Sequence, residues 1–248
     1  MNSVDLDALN QYVNEHIGEF HHRKITALES LSLRKLLRKN PYLLKAKNIG
    51  TAEQLVTALL EAYMSSSEEE IFGDFLEKLA VFVAQQTCNG HKSAAPGIDL
   101  EFFNKGIHYI VSIKSGTNWG NSSQQDKLEQ DFKTATARLK QIDRNAHIQP
   151  VLGICYGKTK TSHLRGYMKV VGQNFWFLIS ENKDLYTDII EPIGYRSQEH
   201  NARFAMERNN LVNRLMLPLL QEFCDPSGAI NWRKLVEHNS GNFDLDTL

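Results

Sequence analysis

Over residues 98–114 the chain abandons a helical apolar period and adopts an alternating one. Residues 98–103 and 107–114 are rich in β-branched and aromatic side chains and flank Asn104-Lys105-Gly106, a short connection whose glycine can take a positive φ. That pattern requires a β-hairpin. An isolated hairpin is only marginally stable in water, so other strands and helices must cover it. Treating the connection as a three-residue turn sets Phe103 opposite Ile107 and Asp99 opposite Val111.

The rest of the chain supplies that cover. Residues 1–64 read as helical, with Leu6, Leu9 and Val13, then Leu33, Leu36 and Leu37, then Leu55, Leu59 and Leu60 near a 3.6-residue period. Asn40-Pro41 and Asn48-Ile49-Gly50 interrupt it. Ser67-Glu68-Glu69-Glu70 has the form of a capping box, predicting a helix that opens there, runs to about residue 86 and buries Phe72, Phe75, Leu79, Phe82 and Val83. Residues 87–97 are a loop. A further helix carries the stripe Leu128, Phe132, Ala135, Leu139 and Ile142, with Ser122 and Gln125 as its cap. Residues 151–156 and 170–180 read as strands, and residues 199–223 as a long final helix. This order predicts an α/β fold, a mixed β-sheet flanked by helices. The expected division is a helical N-terminal extension, residues 1–64, serving dimerisation or DNA binding, and a core over residues 65–248.

Composition excludes several classes. Hydrophobic residues make up 42% and charged residues 23%, which is ordinary globular usage. No apolar run approaches the roughly 20 residues that span a bilayer, and the polar N-terminus lacks signal-peptide character, so the expectation is a cytoplasmic protein with no membrane. Cys88, Cys155 and Cys224 are too scattered for a disulfide framework or a zinc cluster. The segment Gly153 to Thr159 has three residues between its glycines where a phosphate-binding loop has four, so no nucleotide cofactor is expected. Net charge is only −1, yet residues 30–52 contain no acid and six Lys or Arg, and residues 144–180 again contain no acid. Both runs fit solvated faces balanced by nearby acids, the commoner outcome for charge runs, and they also fit two basic patches.

Alternation puts Asp99, Glu101 and Phe103 on one side of the first strand and His108, Ile110, Ser112 and Lys114 on one side of the second. An acid and a lysine then meet at the open end of the hairpin. A carboxylate there can ligate Mg²⁺, which prefers hard oxygen donors, and an ammonium beside it can hold or activate a water. From these residues alone, Lys114 also reads as a strand-end lysine and Asp99 as a turn cap, and the choice turns on the surrounding sequence.

Pro96-Gly97-Ile98-Asp99, followed after the hairpin by Ser112-Ile113-Lys114, resembles the PD-(D/E)xK nuclease motif. The wider stretch of residues 37–139, including Gly73, Glu77 and Asn118-Trp119-Gly120-Asn121, resembles type II restriction enzymes that read interrupted GG/CC sites. The resemblance implies a restriction-endonuclease-like fold. It also implies a homodimer that cuts double-stranded DNA at a short palindrome with Mg²⁺ and leaves 5′-phosphates. Asp99 would bind the metal with the carbonyl of Ile113, and Lys114 would position the attacking water. Ser112 stands where the pattern usually has a second acid. Asp126 and Glu129 on the following helix, Glu101 on the first strand and Glu77, acting through water, are the candidates to replace it. Asn118, Trp119, Asn121, Lys127 and Lys133 are expected near the duplex, and Lys158, Lys160 and Arg165 on phosphates. The alternatives are a DNA-binding protein on the same fold with weak or no catalysis, and a less specific repair nuclease.

Overall fold

A computed structural model describes residues 1–164 and 166–244. Helix α1 (Leu6–Glu29) is followed by two short helices, α2 (Leu33–Leu36) and α3 (Pro41–Ala46), and then by α4 (Ala52–Cys88). The caps explain the breaks: Ser32 accepts from the amide of Lys35, and Asn40 accepts from those of Tyr42 and Leu43, with Pro41 in the first turn where its missing N–H costs nothing. The start of α4 is a capping box of Thr51 and Gln54, the Thr51 hydroxyl accepting from Gln54 N at 3.2 Å and the Gln54 carbonyl from Thr51 N at 3.3 Å.

The expected box at Ser67 and Glu70 does not open a helix, because α4 runs straight through it. Both sequences fit the pattern, but only the first follows a chain break. Leu55, Leu59 and Leu60 are continued beyond Ser67 by Ile71, Phe75, Leu79 and Val83 as one buried series, and burial of that series keeps the intervening polar turn helical.

Five strands, β1 (Leu100–Asn104), β2 (Ile107–Lys114), β3 (His147–Ile154), β4 (Ser162–Leu164) and β5 (Tyr167–Val171), form a mixed sheet in the order β1-β2-β3-β5-β4. The central strands β2, β3 and β5 are parallel, and the edges β1 and β4 are antiparallel to their neighbours. The hairpin turns through two residues, not three. Lys105 and Gly106 both have positive φ, 50° and 76°, the geometry that matches strand twist, so Asn104 pairs with Ile107 and Leu100 with Val111. The register is thus one residue from the expected one.

Helix α5 (Ser122–Ile142) starts one residue early. Asn121 is the extended residue, its side chain accepting from Gln124 N while Gln124 reciprocates, so Ser122 is already helical and the Ser122–Gln125 cap does not form. Leu128, Phe132 and Ala135 are buried, whereas Ile142 is exposed at the helix end. The expected strand over residues 170–180 divides. β5 ends at Val171, Gly172 turns the chain at φ 57°, and α6 (Gln173–Ser180) buries Phe175, Trp176, Ile179 and Ser180. That burial has the helical period, which a short apolar run does not reveal in advance. Helices α7 (Leu185–Asp188), α8 (Ile190–Ile193), α9 (Ser197–Phe223) and α10 (Trp232–Ser240) complete the described chain. None of the described helices is long and apolar enough to cross a membrane.

The chain forms two compact units. The first comprises residues 1–18 and 72–195 and holds the sheet, with Ile98, Ile110, Leu152 and Ile154 packed with Leu128 and Phe132 of α5. The second comprises residues 19–71 and the described residues from 196 onward, and is helical around Leu36, Leu55, Leu59, Leu211, Leu215 and Leu219. Residue 64, the expected boundary, lies inside α4.

In the second unit His21 is buried and stacks on His200 at a ring separation of 4.2 Å, and its Nδ1 makes no hydrogen bond to any described residue. Burial, then the charges of His200 and Lys24, push its imidazole down from the ordinary 6.5 to about 4. A depressed histidine leaves the unfolded chain holding more protons, so stability is full above about 6.5 and falls as pH drops toward 4. In chemical denaturation, His21→Phe is expected to flatten the fall in midpoint between these pH values relative to the parent. Identical slopes would remove His21 as its cause.

Candidate active site

The site is built at the open end of the hairpin, where the parallel strands reach their carboxyl ends. The two-residue turn decides its geometry. Asp99 N donates to Val111 O at 2.8 Å, which places Asp99 across from Ser112. Its Oδ2 accepts from the main-chain amide of Ile113 at 2.6 Å and lies 3.4 Å from the Ser112 hydroxyl, which donates to it. Lys114 Nζ approaches the same oxygen at 3.9 Å. Because N–H and C=O of one strand residue point to the same side, the Ile113 carbonyl also faces the Asp99 side, while Lys114 turns its carbonyl to Cys155 N on the β3 side.

Asp99 and Lys114 are about a fifth and a third exposed, respectively, so the pair is reachable from solvent. Ser112 is buried. Below them Cys155 is completely buried, and burial followed by the Glu77 carboxylate pushes its thiol far above the ordinary range. It is therefore an inert packing group.

Ser112 and Lys114 open into a cavity of about 580 Å³ that is also lined by Gly97, Trp119, Lys127 and Asp131. The Trp119 ring lies 5.7 Å from Lys114 Nζ and roofs the ammonium. Asp131 is the residue that sequence reasoning missed. Its carboxylate has no hydrogen bond or ion pair to any described residue, and it lies so close to Gly97 that a Cβ there would come within 2.3 Å of Oδ2. Gly97, at φ 75°, lets the chain before Asp99 pass against this carboxylate.

The signal was present in the helical period. Relative to buried Leu128, Asp131 is turned by about 60° around the helix, Glu129 by about 100° and Asp126 by about 160°. Asp131 borders the apolar stripe, whereas Asp126 is exposed, and neither Asp126 nor Glu129 lines the cavity.

The other expected residues divide between those at the site and those away from it. Glu101 accepts from Ser93 Oγ through one oxygen, and its other oxygen lies 3.0 Å from His108 Nε2, so its carboxylate is held along the sheet, away from Asp99. Glu77 comes from α4 and pairs with Lys92 at 3.3 Å. Burial and then the Asp99 charge raise its carboxyl above the ordinary 4.5, with Lys92 and Lys114 opposing. Asn118 and Lys127 line the cavity, while Asn121 is occupied as the α5 cap. Lys133 is exposed on α5, and Lys158 and Lys160 are exposed after β3. Arg165 lies outside the described residues.

Among the described residues no three His, Cys, Asp or Glu side chains converge as a metal cage. Asp99 and the Ile113 carbonyl offer hard oxygens near the Lys114 ammonium, and Asp131 lines the cavity into which Lys114 opens. That set suits Mg²⁺, which keeps several of its own waters, and does not suit zinc, which favours nitrogen and sulfur.

A family model for the type II restriction endonuclease EcoO109I matches residues 7–201. Comparison with curated proteins gave no match.

Glu77 provides a test of the site's electrostatics. Its raised carboxyl means that stability is greatest below the unfolded value of 4.5 and declines as pH rises through the folded value. Glu77→Gln is therefore expected to gain thermal stability relative to the parent between pH 4 and pH 7. A difference that stays flat or reverses across that range would show that the Glu77 carboxyl is not raised in the folded protein.

Proposed function

The chain belongs to the family of the type II restriction endonuclease EcoO109I, and from that premise we propose how Asp99, Asp131 and Lys114 divide the work of cutting DNA. The protein is a site-specific deoxyribonuclease. The observation carrying the finer reading is that Lys114 lies 3.9 Å from a carboxylate tethered to the main chain and shares its cavity with an unengaged second acid. Phosphodiester hydrolysis needs that combination.

In this reading the residues that would hold Mg²⁺ are Asp99, Asp131 and the Ile113 carbonyl. The cation would neutralise charge on the scissile phosphate and lower the pKa of the attacking water. Asp99 is kept in place by the Ile113 amide. Lys114, a point charge with three donors, orients the water and hydrogen-bonds the oxygen that gains charge. The water oxygen gives up a proton to solvent and forms a bond to phosphorus as the bond to the 3′ oxygen breaks; the 3′ oxygen takes a proton from solvent, and the phosphate stays on the 5′ end. Asn118, Trp119 and Lys127, in the same cavity, would meet the DNA beside the cut, with Lys133, Lys158 and Lys160 on flanking phosphates. A two-fold homodimer acting on a short palindrome would cut both strands.

Ser112 supports the competing reading of a binding protein without cleavage; an acid donated by α5 removes the need for a carboxylate at that position. With plasmid DNA and Mg²⁺, the parent is expected to produce discrete fragments, and chelation should stop the reaction. Asp99→Asn keeps an acceptor for the Ile113 amide, so it should fold and shift DNA in a gel while cleavage falls by about 10²-fold or more; Lys114→Ala should behave similarly. Asp131→Asn is expected to lose activity to a comparable degree, with Asp126→Asn and Glu129→Gln within a few-fold of the parent. Full activity in Asp99→Asn would end the catalytic assignment, and full activity in Asp131→Asn would return the second acid to another residue.

A further inference from the structure

The segment from Ser30 to Ala52 carries six Lys or Arg and no acid in a chain whose net charge is −1. In the fold this charge is ordered. Leu33, Leu36, Leu37 and Leu44 are buried in the core of the second unit, so the intervening positions of α2 and α3 face outward. Three of the cations touch the protein itself: Lys39 Nζ donates to Ala62 O at 3.1 Å, and the exposed Lys35 and Lys45 lie over the rings of Tyr63 and Trp232. Arg34, Arg38, Lys45 and Lys47 are exposed, and none makes an ion pair with any described residue.

The backbone that carries them is held at several points. Ser32 and Asn40 cap the two helices, and Asn239 Nδ2 donates to Leu37 O at 2.6 Å, tying the link between them to α10. Lys45 sits over Trp232 of the same helix. Four exposed cations on a fixed backbone, with no neighbouring carboxylate in sequence, form a positive face complementary to a partner that carries repeated negative charge. Of such partners, duplex DNA is the one the family already acts on.

We propose that the α2–α3 face of the second unit binds the phosphodiester backbone of duplex DNA without reading its sequence, through Arg34, Arg38, Lys45 and Lys47. This rests on DNA being the substrate and is independent of the roles given to Asp99, Asp131 and Lys114. Such contacts release condensed counterions, so they contribute to the salt dependence of affinity by about 0.9 per phosphate neutralised in a plot of log affinity against log salt. They raise the concentration of enzyme on DNA without changing the chemistry of a bound complex.

The test is fluorescence anisotropy on a duplex of random sequence over a salt series, comparing the full-length parent with the fourfold variant R34Q/R38Q/K45Q/K47Q. The salt slope is expected to fall by about 3 to 4, with weaker binding at low salt, while cleavage by excess enzyme at low salt continues. R34K/R38K, which keeps the charge, should retain the parental slope. If the fourfold variant melts early, the pairs R34Q/R38Q and K45Q/K47Q should each lose about half of the effect. An unchanged slope in folded variants overturns the proposal. So does an unchanged slope accompanied by lost binding to phosphatidylserine vesicles or by altered self-association, which would assign the face to a lipid surface or to a second copy. Persistent cleavage in those variants would leave the nuclease reading standing.

Discussion

The hydrogen bond from the Ile113 amide to the Asp99 carboxylate is the constraint from which the site follows. It exists because two positive-φ residues, Lys105 and Gly106, close the hairpin and bring Asp99 across from Ser112. A strand carries its side chains on alternating faces, so a different register would carry the carboxylate away from the Ile113 amide and from Lys114. The bond also accounts for the modest closeness of the ion pair. Asp99 is already anchored by main chain, and Lys114 stands 3.9 Å away, near enough for attraction and loose enough for a water or a phosphate oxygen to enter.

Around that bond the sheet and α5 bring residues to the site from different parts of the chain. β2 supplies Lys114 and the Ile113 carbonyl, the loop before β1 supplies Asp99 beside Gly97, and α5 brings Asp131 from beyond the polar segment that carries Trp119. The serine in place of an acid at 112 is coherent with this arrangement. Ser112 is buried against Asp99, where a second anion would face repulsion and desolvation, whereas Asp131 reaches the cavity from a half-exposed helical position. Glu77 and Asp99 raise the cost of further negative charge, and Lys114 and Lys92 offset it.

The second unit has a different physical character. It is a helical assembly around leucines of α2, α4 and α9, with charge distributed outward from a core that contains almost no polar group. Its one buried histidine remains neutral at physiological pH because burial and neighbouring cations act in the same direction. Near-zero net charge over the whole chain therefore conceals a local asymmetry, with unpaired cations over α2 and α3 and the balancing acids elsewhere in sequence. Total charge would have argued against DNA; its placement argues for it.

Much was legible from sequence alone because it is local. The existence of the hairpin, the helix breaks at Asn40-Pro41 and Asn48-Ile49-Gly50, the α5 stripe and helix α9 follow from period, turn residues and caps, whereas the approach of Lys114 to Asp99 needed the two-residue turn and its register. What depended on three-dimensional packing had to come from the tertiary structure. Ser67 and Glu70 satisfy the capping pattern as well as Thr51 and Gln54 do, and only the continuous burial of α4 decides between them. Residues 173–180 could alternate or coil, and a glycine turn with Trp176 donating to the Cys155 carbonyl selects the helix. Asp131 carries no motif that marks it in a linear reading. Its offset from Leu128 can be counted along the helix, but a carboxylate 17 positions after Lys114 enters the same cavity only because α5 packs on the sheet, an outcome of tertiary packing that spacing alone does not fix.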